Sequence, residues 1–375
     1  MVISSAKRMA TALTIGVISS PAFAEYALNF QTPVSEIATK VYNLHMTIFY
    51  ICMAIAFVVF GAMIYSIINH RKSKGAKAAQ FHESTTVEII WTIIPFIILI
   101  VMAIPATKTL IAMEESTDKG DVTIKITASQ FKWHYDYLNE GINFISALAT
   151  PEDQIYGAAE KGEHYLLEVD NPIVVPIKTK IRFLLTAADV LHAWWVPAIS
   201  VKKDAIPGFI NQMWTVIDKP GTYRGQCAEL CGAKHGFMPI VLEAMEPEKY
   251  QAWVKEKQAI FAAEKAKSES GADLPKGELM AKGETVYKAN CAVCHQASGE
   301  GGGPFPALKG SKIATGAVED HIKIVLHGKA AMPPFKGSMN DLDLAAIITY
   351  ERNAWGNVPS DGKDVVQPGM IKGLR

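Results

Sequence analysis

Cysteine is scarce in this chain: five residues in 375, four of them packed into two short motifs and the fifth, Cys52, inside a long apolar run. None is left over for a structural disulfide, which excludes a disulfide-stapled scaffold. Net charge is missing as well. The 37 basic and 37 acidic side chains cancel, which excludes the strongly basic balance of a nucleic-acid binder. There is also no internal repeat, which excludes a solenoid. What is present in excess is apolar surface. A hydrophobic fraction of 49% is high for a soluble protein and points to membrane segments, in a length that allows two or three domains.

Residues 1–24 read as a signal peptide. Lys7 and Arg8 form a basic start, an apolar stretch follows, and Ala22-Phe-Ala24 fits a small-residue cleavage site. A third membrane anchor is the alternative, but the apolar run is short and is broken by Ser19, Ser20 and Pro21. Residues 25–117 carry two long apolar runs, expected as helices over about 44–69 and 87–110. Each provides the ~20 residues a helix needs to cross a ~30 Å hydrocarbon core. Between them lie Arg71, Lys72, Lys74 and Lys77. By the positive-inside rule this loop faces the cytoplasm, and everything after residue 110 is exported.

Residues 118–245 carry strand signals. Val122, Ile124 and Ile126 alternate with polar neighbours, as do Phe131, Trp133, Tyr135 and Tyr137. Further runs at 164–169, 181–186, 213–217 and 239–242 are separated by turn residues. Many short strands with turn signals predict a sandwich or Greek-key barrel. Residues 246–275 read as a helix start, Glu-Pro-Glu-Lys, followed by a linker. Residues 276–356 form a small third unit, and the tail 357–375, rich in Gly, Pro and charge, reads as a loosely ordered end.

Residues 227–238, Cys-Ala-Glu-Leu-Cys-Gly-Ala-Lys-His-Gly-Phe-Met, gather two thiols, an imidazole and a thioether. Cysteines at i and i+4 could form a disulfide, half a zinc site or a copper site. A disulfide leaves His235 and Met238 without purpose, and zinc rarely takes a thioether. Soft sulfur beside imidazole suits copper, and a mononuclear blue site would need only one Cys. Two thiolates can bridge two copper ions. The second imidazole is read as His192, in Asp189-Val-Leu-His-Ala-Trp-Trp-Val-Pro.

About sixty residues on stands Cys291-Ala-Val-Cys294-His295, the pattern of covalent haem c attachment, with the adjacent histidine placed to ligate iron. Met332, in Ala-Met-Pro-Pro-Phe, is the leading distal ligand because flanking prolines hold its loop; Met339 is the weaker option. His321 and His327 could form a bis-histidine arrangement but read better as residues of a helix surface.

These residues carry a resemblance. Glu168-Val-Asp-Asn, Asp204-Ala-Ile-Pro-Gly, Gly225-Gln-Cys-Ala-Glu-Leu-Cys, Phe237-Met-Pro-Ile-Val and Glu88-Ile-Ile-Trp-Thr-Ile-Ile-Pro resemble subunit II of cytochrome c oxidase over residues 25–250. The resemblance implies an all-β cupredoxin fold on a two-helix transmembrane hairpin, holding a dinuclear CuA centre. It implies that Cys227 and Cys231 bridge the coppers, with His192 and His235 as terminal ligands and Met238 and the Glu229 carbonyl as weak ones. It also implies magnesium on the Glu229 carboxylate at the contact with subunit I, and a proton-path mouth at Glu88. Gly283-Glu-Thr-Val-Tyr, Pro306-Ala-Leu-Lys-Gly and Leu344-Ala-Ala-Ile-Ile-Thr-Tyr resemble an all-α class I cytochrome c. In that family the Pro306 carbonyl would orient the proximal imidazole.

One departure stands out. The family's Trp-x-Trp stretch, implicated in accepting electrons from cytochrome c, is here Phe131-Lys-Trp133. Trp133 remains as the electron-accepting aromatic, and the fused haem would offset the lost tryptophan by raising the local donor concentration.

The resulting expectation is the electron-input subunit of a haem-copper oxidase in a bacterial inner membrane, with both cofactor units on the outer side. Its expected partners are subunits I and III, membrane lipid, and cytochrome c or another donor; no nucleic acid is expected. Oxygen would be reduced in subunit I, so no catalytic residue is expected in this chain. A copper-dependent nitric oxide reductase subunit is the rival of the same class, and a copper storage or assembly protein the rival of another.

Overall fold

The computed structural model describes residues 29–375 apart from 79, 81, 115–119, 270–272 and 331. The expected signal peptide, 1–24, lies outside the described residues. The two apolar runs form helices α1 (Glu36–Asn69) and α2 (Thr85–Glu114), both long and apolar enough to cross a membrane. They run past the expected limits because their outer ends serve the next layer. Ser35 caps α1 by accepting from Ala38 N, and its hydroxyl donates to the carbonyl of Ile199 in the β domain. Ile37 and Ala38 are buried there. At the end of α2, Lys203 pairs with Glu114 at 2.7 Å. The β domain therefore touches the outer ends of both helices, while Arg71, Lys72, Lys74 and Lys77 sit in the turn at the other end.

Ten strands follow among the described residues: β1 (Val122–Ser129), β2 (Lys132–Tyr137), β3 (Ile142–Ser146), β4 (Ile173–Pro176), β5 (Lys180–Ala187), β6 (His192–Val196), β7 (Val201–Ala205), β8 (Asn211–Val216), β9 (Gly221–Cys227) and β10 (Pro239–Met245). A short helix, α3 (Glu152–Ile155), interrupts them after β3. They form two five-stranded sheets ordered β3-β2-β1-β5-β8 and β4-β10-β9-β6-β7. The parallel β1–β5 and β4–β10 pairs sit among antiparallel neighbours. This is the sandwich of a cupredoxin-like domain. Alternate residues of β1, Val122, Ile124, Ile126 and Ala128, face the core, where they meet Phe183, Trp194 and Ile240.

The expected strand at 164–169 is a correction. Residues 163–166 form turns, and only Val169 bridges to another residue, Leu148. Its side chains are uniformly half-buried rather than alternating, so the segment rests along the domain without a partner strand.

The sandwich leads into α4 (Pro247–Glu269), whose Trp253 stacks on Tyr250 and meets Tyr137. Beyond it come α5 (Lys276–Asn290), α6 (Ala292–His295), α7 (Val318–His327), α8 (Asp341–Asn353) and α9 (Pro368–Leu374). Helices α5 and α8 cross at Gly283, where a Cβ would stand 2.1 Å from the Ala346 carbonyl oxygen. Two expectations fail in this unit. The tail is not loose, because Val366 and Ile371 are fully buried and α9 closes the core. His321 is not on a surface either: it is buried and bonds Glu351 at 2.8 Å. What covers α7 is set in part by the tail, which no local reading of residues 318–327 shows. His327 is exposed.

Gly283→Ala should force α5 and α8 apart at a cost of about 1–3 kcal/mol, as overpacking does. Thermal unfolding of the purified protein should show the helical unit melting earlier while the β-sheet signal is unchanged.

Candidate metal centre and haem site

Strand β9 delivers Cys227 to the end of the sandwich. Its amide donates to the Met238 carbonyl at 3.0 Å, which closes the loop 227–238 on itself. Within that loop the two sulfurs lie 3.9 Å apart, both free. Each has its own imidazole: Cys227 Sγ is 3.9 Å from His192 Nδ1, and Cys231 Sγ is 3.5 Å from His235 Nδ1. The Glu229 carbonyl faces Cys227 Sγ at 3.3 Å, while the Glu229 side chain is exposed. His192, Cys227, Cys231 and Met238 are all buried, and the three sulfur-bearing residues belong to one core cluster. The donor atoms of His192, Cys227 and Cys231 lie within 4.8 Å of one another.

The second sphere was not legible in advance. His192 Nε2 bonds Asp189 Oδ1 at 2.9 Å, which turns Nδ1 toward the sulfurs. Asp189 Oδ2 accepts the Gln130 amide at 2.7 Å, and the Gln130 side chain donates to the Cys231 carbonyl at 2.6 Å. Such bonding fixes ring orientation and tunes a metal. Asp189 stands three residues before His192, the one spacing signal that could have exposed it; Gln130 had none. Burial alone would raise both thiols. The His192 bond overrides this at Cys227, whose thiol is drawn down, whereas Cys231 is pushed up by burial and by facing the Cys227 charge. The donor set of two thiols, imidazoles and a thioether, with no carboxylate among the inner atoms, fits copper.

Trp133 is fully buried, its ring 6.2 Å from that of His192 and its indole N–H without a partner among the described residues. Glu88 occupies the first turn of α2, exposed, at the end of that helix away from the β domain.

In the helical unit, His295 Nδ1 lies 2.8 Å from the Pro306 carbonyl. A carbonyl can only accept, so Nδ1 carries the proton and Nε2 keeps a lone pair for a metal. Cys291 and Cys294 are free thiols, the first at the N-cap of α6 and the second within it. Met332 is half-buried against the same cluster as Cys291, and its carbonyl and amide pair with Lys329. Met339 is buried in that cluster too. These residues could hold a covalent haem, with His295 Nε2 offering a nitrogen donor.

A membrane hairpin, a cupredoxin-like sandwich with a thiol–imidazole centre and a helical unit with a haem-attachment motif define a membrane electron-transfer protein. Comparison with known proteins agrees. Residues 122–245 match the family of the cytochrome c oxidase subunit II periplasmic domain, 24–109 that of its transmembrane domain, and 278–350 that of cytochrome c oxidase, cbb3-type, subunit III. Cytochrome c oxidase subunit 2 of Arabidopsis thaliana is 38% identical over 235 residues, 61% of this chain and 88% of the relative. That of Cyanidium caldarium is 38% identical over 237 residues, 62% of this chain and 91% of the relative. The solved periplasmic domain of subunit II of cytochrome oxidase of Bradyrhizobium japonicum is 40% identical, covering 39% of this chain and 99% of that one, with a TM-score of 0.35. The chain belongs to the cytochrome c oxidase subunit II family and carries a cytochrome c domain at its C-terminal side. Its family matches imply CuA copper in the sandwich and haem c in the helical unit.

Asp189→Ala should free the His192 ring and weaken copper retention about 10–100-fold, the usual cost of losing such a partner. Chelator competition followed by metal analysis reads the change, with haem content unaffected.

Proposed function

We propose that this chain takes single electrons from a donor at its haem unit, passes them to its copper unit and delivers them to oxidase subunit I, where oxygen is reduced to water with proton translocation. One observation carries the reading: two buried, unjoined sulfurs, each with its own imidazole, set a short distance apart in a rigid sandwich. Bound copper and haem would supply reversible one-electron chemistry.

The residues of the chain hold and shield. Cys227, Cys231, His192 and His235 would hold the copper, with Met238 and the Glu229 carbonyl as weaker donors. Burial of Cys227, Cys231 and His192 keeps water out of the centre and lowers the dielectric around it. That burial also speaks against a copper-delivery role, since a metal donor needs an exposed, labile site. Cys291 and Cys294 would anchor the haem, His295 and Met332 would ligate its iron, and the Pro306 carbonyl would hold the His295 ring. Trp133, packed edge-on to His192, is placed to couple the copper unit to its surroundings.

The finer assignments follow the same reading. The exposed Glu229 carboxylate would bind magnesium at the contact with subunit I, and Glu88 would open a proton path into it. Residues 1–24 would be a cleaved signal peptide, 118–245 the copper unit and 276–356 the haem unit. The hairpin would cross a bacterial cytoplasmic membrane in contact with lipid, with subunit III as a further neighbour.

The test is an absorption and paramagnetic-resonance spectrum of the purified holoprotein with metal counts. A haem c band together with a mixed-valence copper-pair signal is expected. Cys227→Ser should abolish the copper signal and leave the haem band, while Met332→Ala should disturb the haem and leave the copper. Stoichiometric zinc, or joined Cys227 and Cys231 sulfurs, would overturn the reading.

A further inference from the structure

Lys132 follows directly on Phe131 in the copper unit, yet it is almost wholly buried. Among the described residues its ammonium forms no ion pair with a carboxylate. It donates to the Asn290 side-chain oxygen at 3.2 Å and the Asn290 carbonyl at 3.5 Å, and it lies 4.6 Å from the centre of the Phe335 ring. Both partner residues belong to the helical unit, and Asn290 immediately precedes Cys291. A buried cation held by dipoles and a ring is costly, and burial lowers its pKa to about 8. A side chain that merely filled space would be apolar there.

A second lysine does the same from the copper loop. Lys234, next to His235, donates to the carbonyl of Val293, between Cys291 and Cys294. Ile145 of β3 adds an apolar contact to the core of the helical unit. The two lysines thus grip opposite ends of one short segment, residues 290–293. Each is also a chain neighbour of a residue at the copper centre: Lys234 of His235, and Lys132 of Trp133, whose ring meets His192.

We propose that Lys132 and Lys234 form a latch that seats the haem-attachment segment of this chain on its own copper unit, making them positioning residues for internal electron transfer. The latch rests on the relay reading for its purpose but not for its existence. Charge-assisted hydrogen bonds to Asn290 and Val293 fix the segment's register. The buried positive charge beside Cys291 and Cys294 favours the reduced state of whatever redox group they carry. With Lys132 covered in this way, this part of the copper unit is closed to a separate protein, so an external donor must meet the helical unit.

The intact oxidase carrying Lys132→Met, Lys234→Ala or both tests this. Replacing a buried charge by an apolar side chain of similar length is often neutral for folding, and Lys234 is only half-buried, so thermal stability of the copper unit should hold. Amides of residues 290–295 should exchange with deuterium about tenfold faster in the double variant, as expected for losing bonds to two charges. The haem reduction potential should fall in Lys132→Met, and haem-to-copper transfer after photoreduction should slow in the double variant. Wild-type exchange at 290–295 and a wild-type potential, with haem fully attached, would overturn the latch. Exchange is read without any electron transfer, so a failed relay and a failed latch give different results.

Discussion

Keeping two thiols close without letting them join is the constraint on which the copper unit depends. A disulfide would bring the sulfurs to about 2.05 Å; here they stand at 3.9 Å. The backbone enforces the gap from both sides. Cys227 is tied at the end of β9 through Met238, and Cys231 is held through its carbonyl by Gln130 from the facing sheet. The sandwich must therefore be complete before the sulfurs are correctly spaced. Gly225 shows how tight that packing is: a Cβ there would stand 2.0 Å from the Trp195 carbonyl oxygen of the adjacent strand. A scaffold this rigid suits one-electron chemistry, because little can move when charge changes.

The same economy joins the sandwich to its neighbours. Ser35 and Lys203 tie it to the outer ends of the two apolar helices. Lys132 and Lys234 tie it to the helical unit at the segment that carries Cys291 and Cys294. At the helical unit the gripping side chains are neighbours of Trp133 and His235 rather than those residues themselves. Spacing inside each centre is thereby separated from spacing between centres, and each can be set without disturbing the other.

Legibility tracked the range of the interaction. The helices α1 and α2 were plain because a long apolar run without charge is a local property, and their ends were missed because capping by Ser35 and burial of Ile37 depend on the β domain. Strand β1 was plain from alternation, whereas β6, which carries His192 and is buried on nearly every residue, has no period-two signal to read. The expected strand at 164–169 had suitable residues but no partner edge. His321 and the tail after residue 356 were misjudged together, because the tail's Val366 and Ile371 help complete the core in which that imidazole lies buried.

By itself the sequence determined which chemistry is available: soft ligands in a twelve-residue loop, a Cys-x-x-Cys-His attachment motif, and two segments suited to a lipid core. These are local matters of residue type and spacing. The sequence put His192 forward as a ligand, but only the tertiary structure decided how it meets Cys227 Sγ, at 3.9 Å across 35 residues, that Asp189 orients it, and that Lys132 is buried against Asn290 across 158 residues of chain. Pairings of that range arise from how sheets and helices close on one another, and no local pattern encodes them.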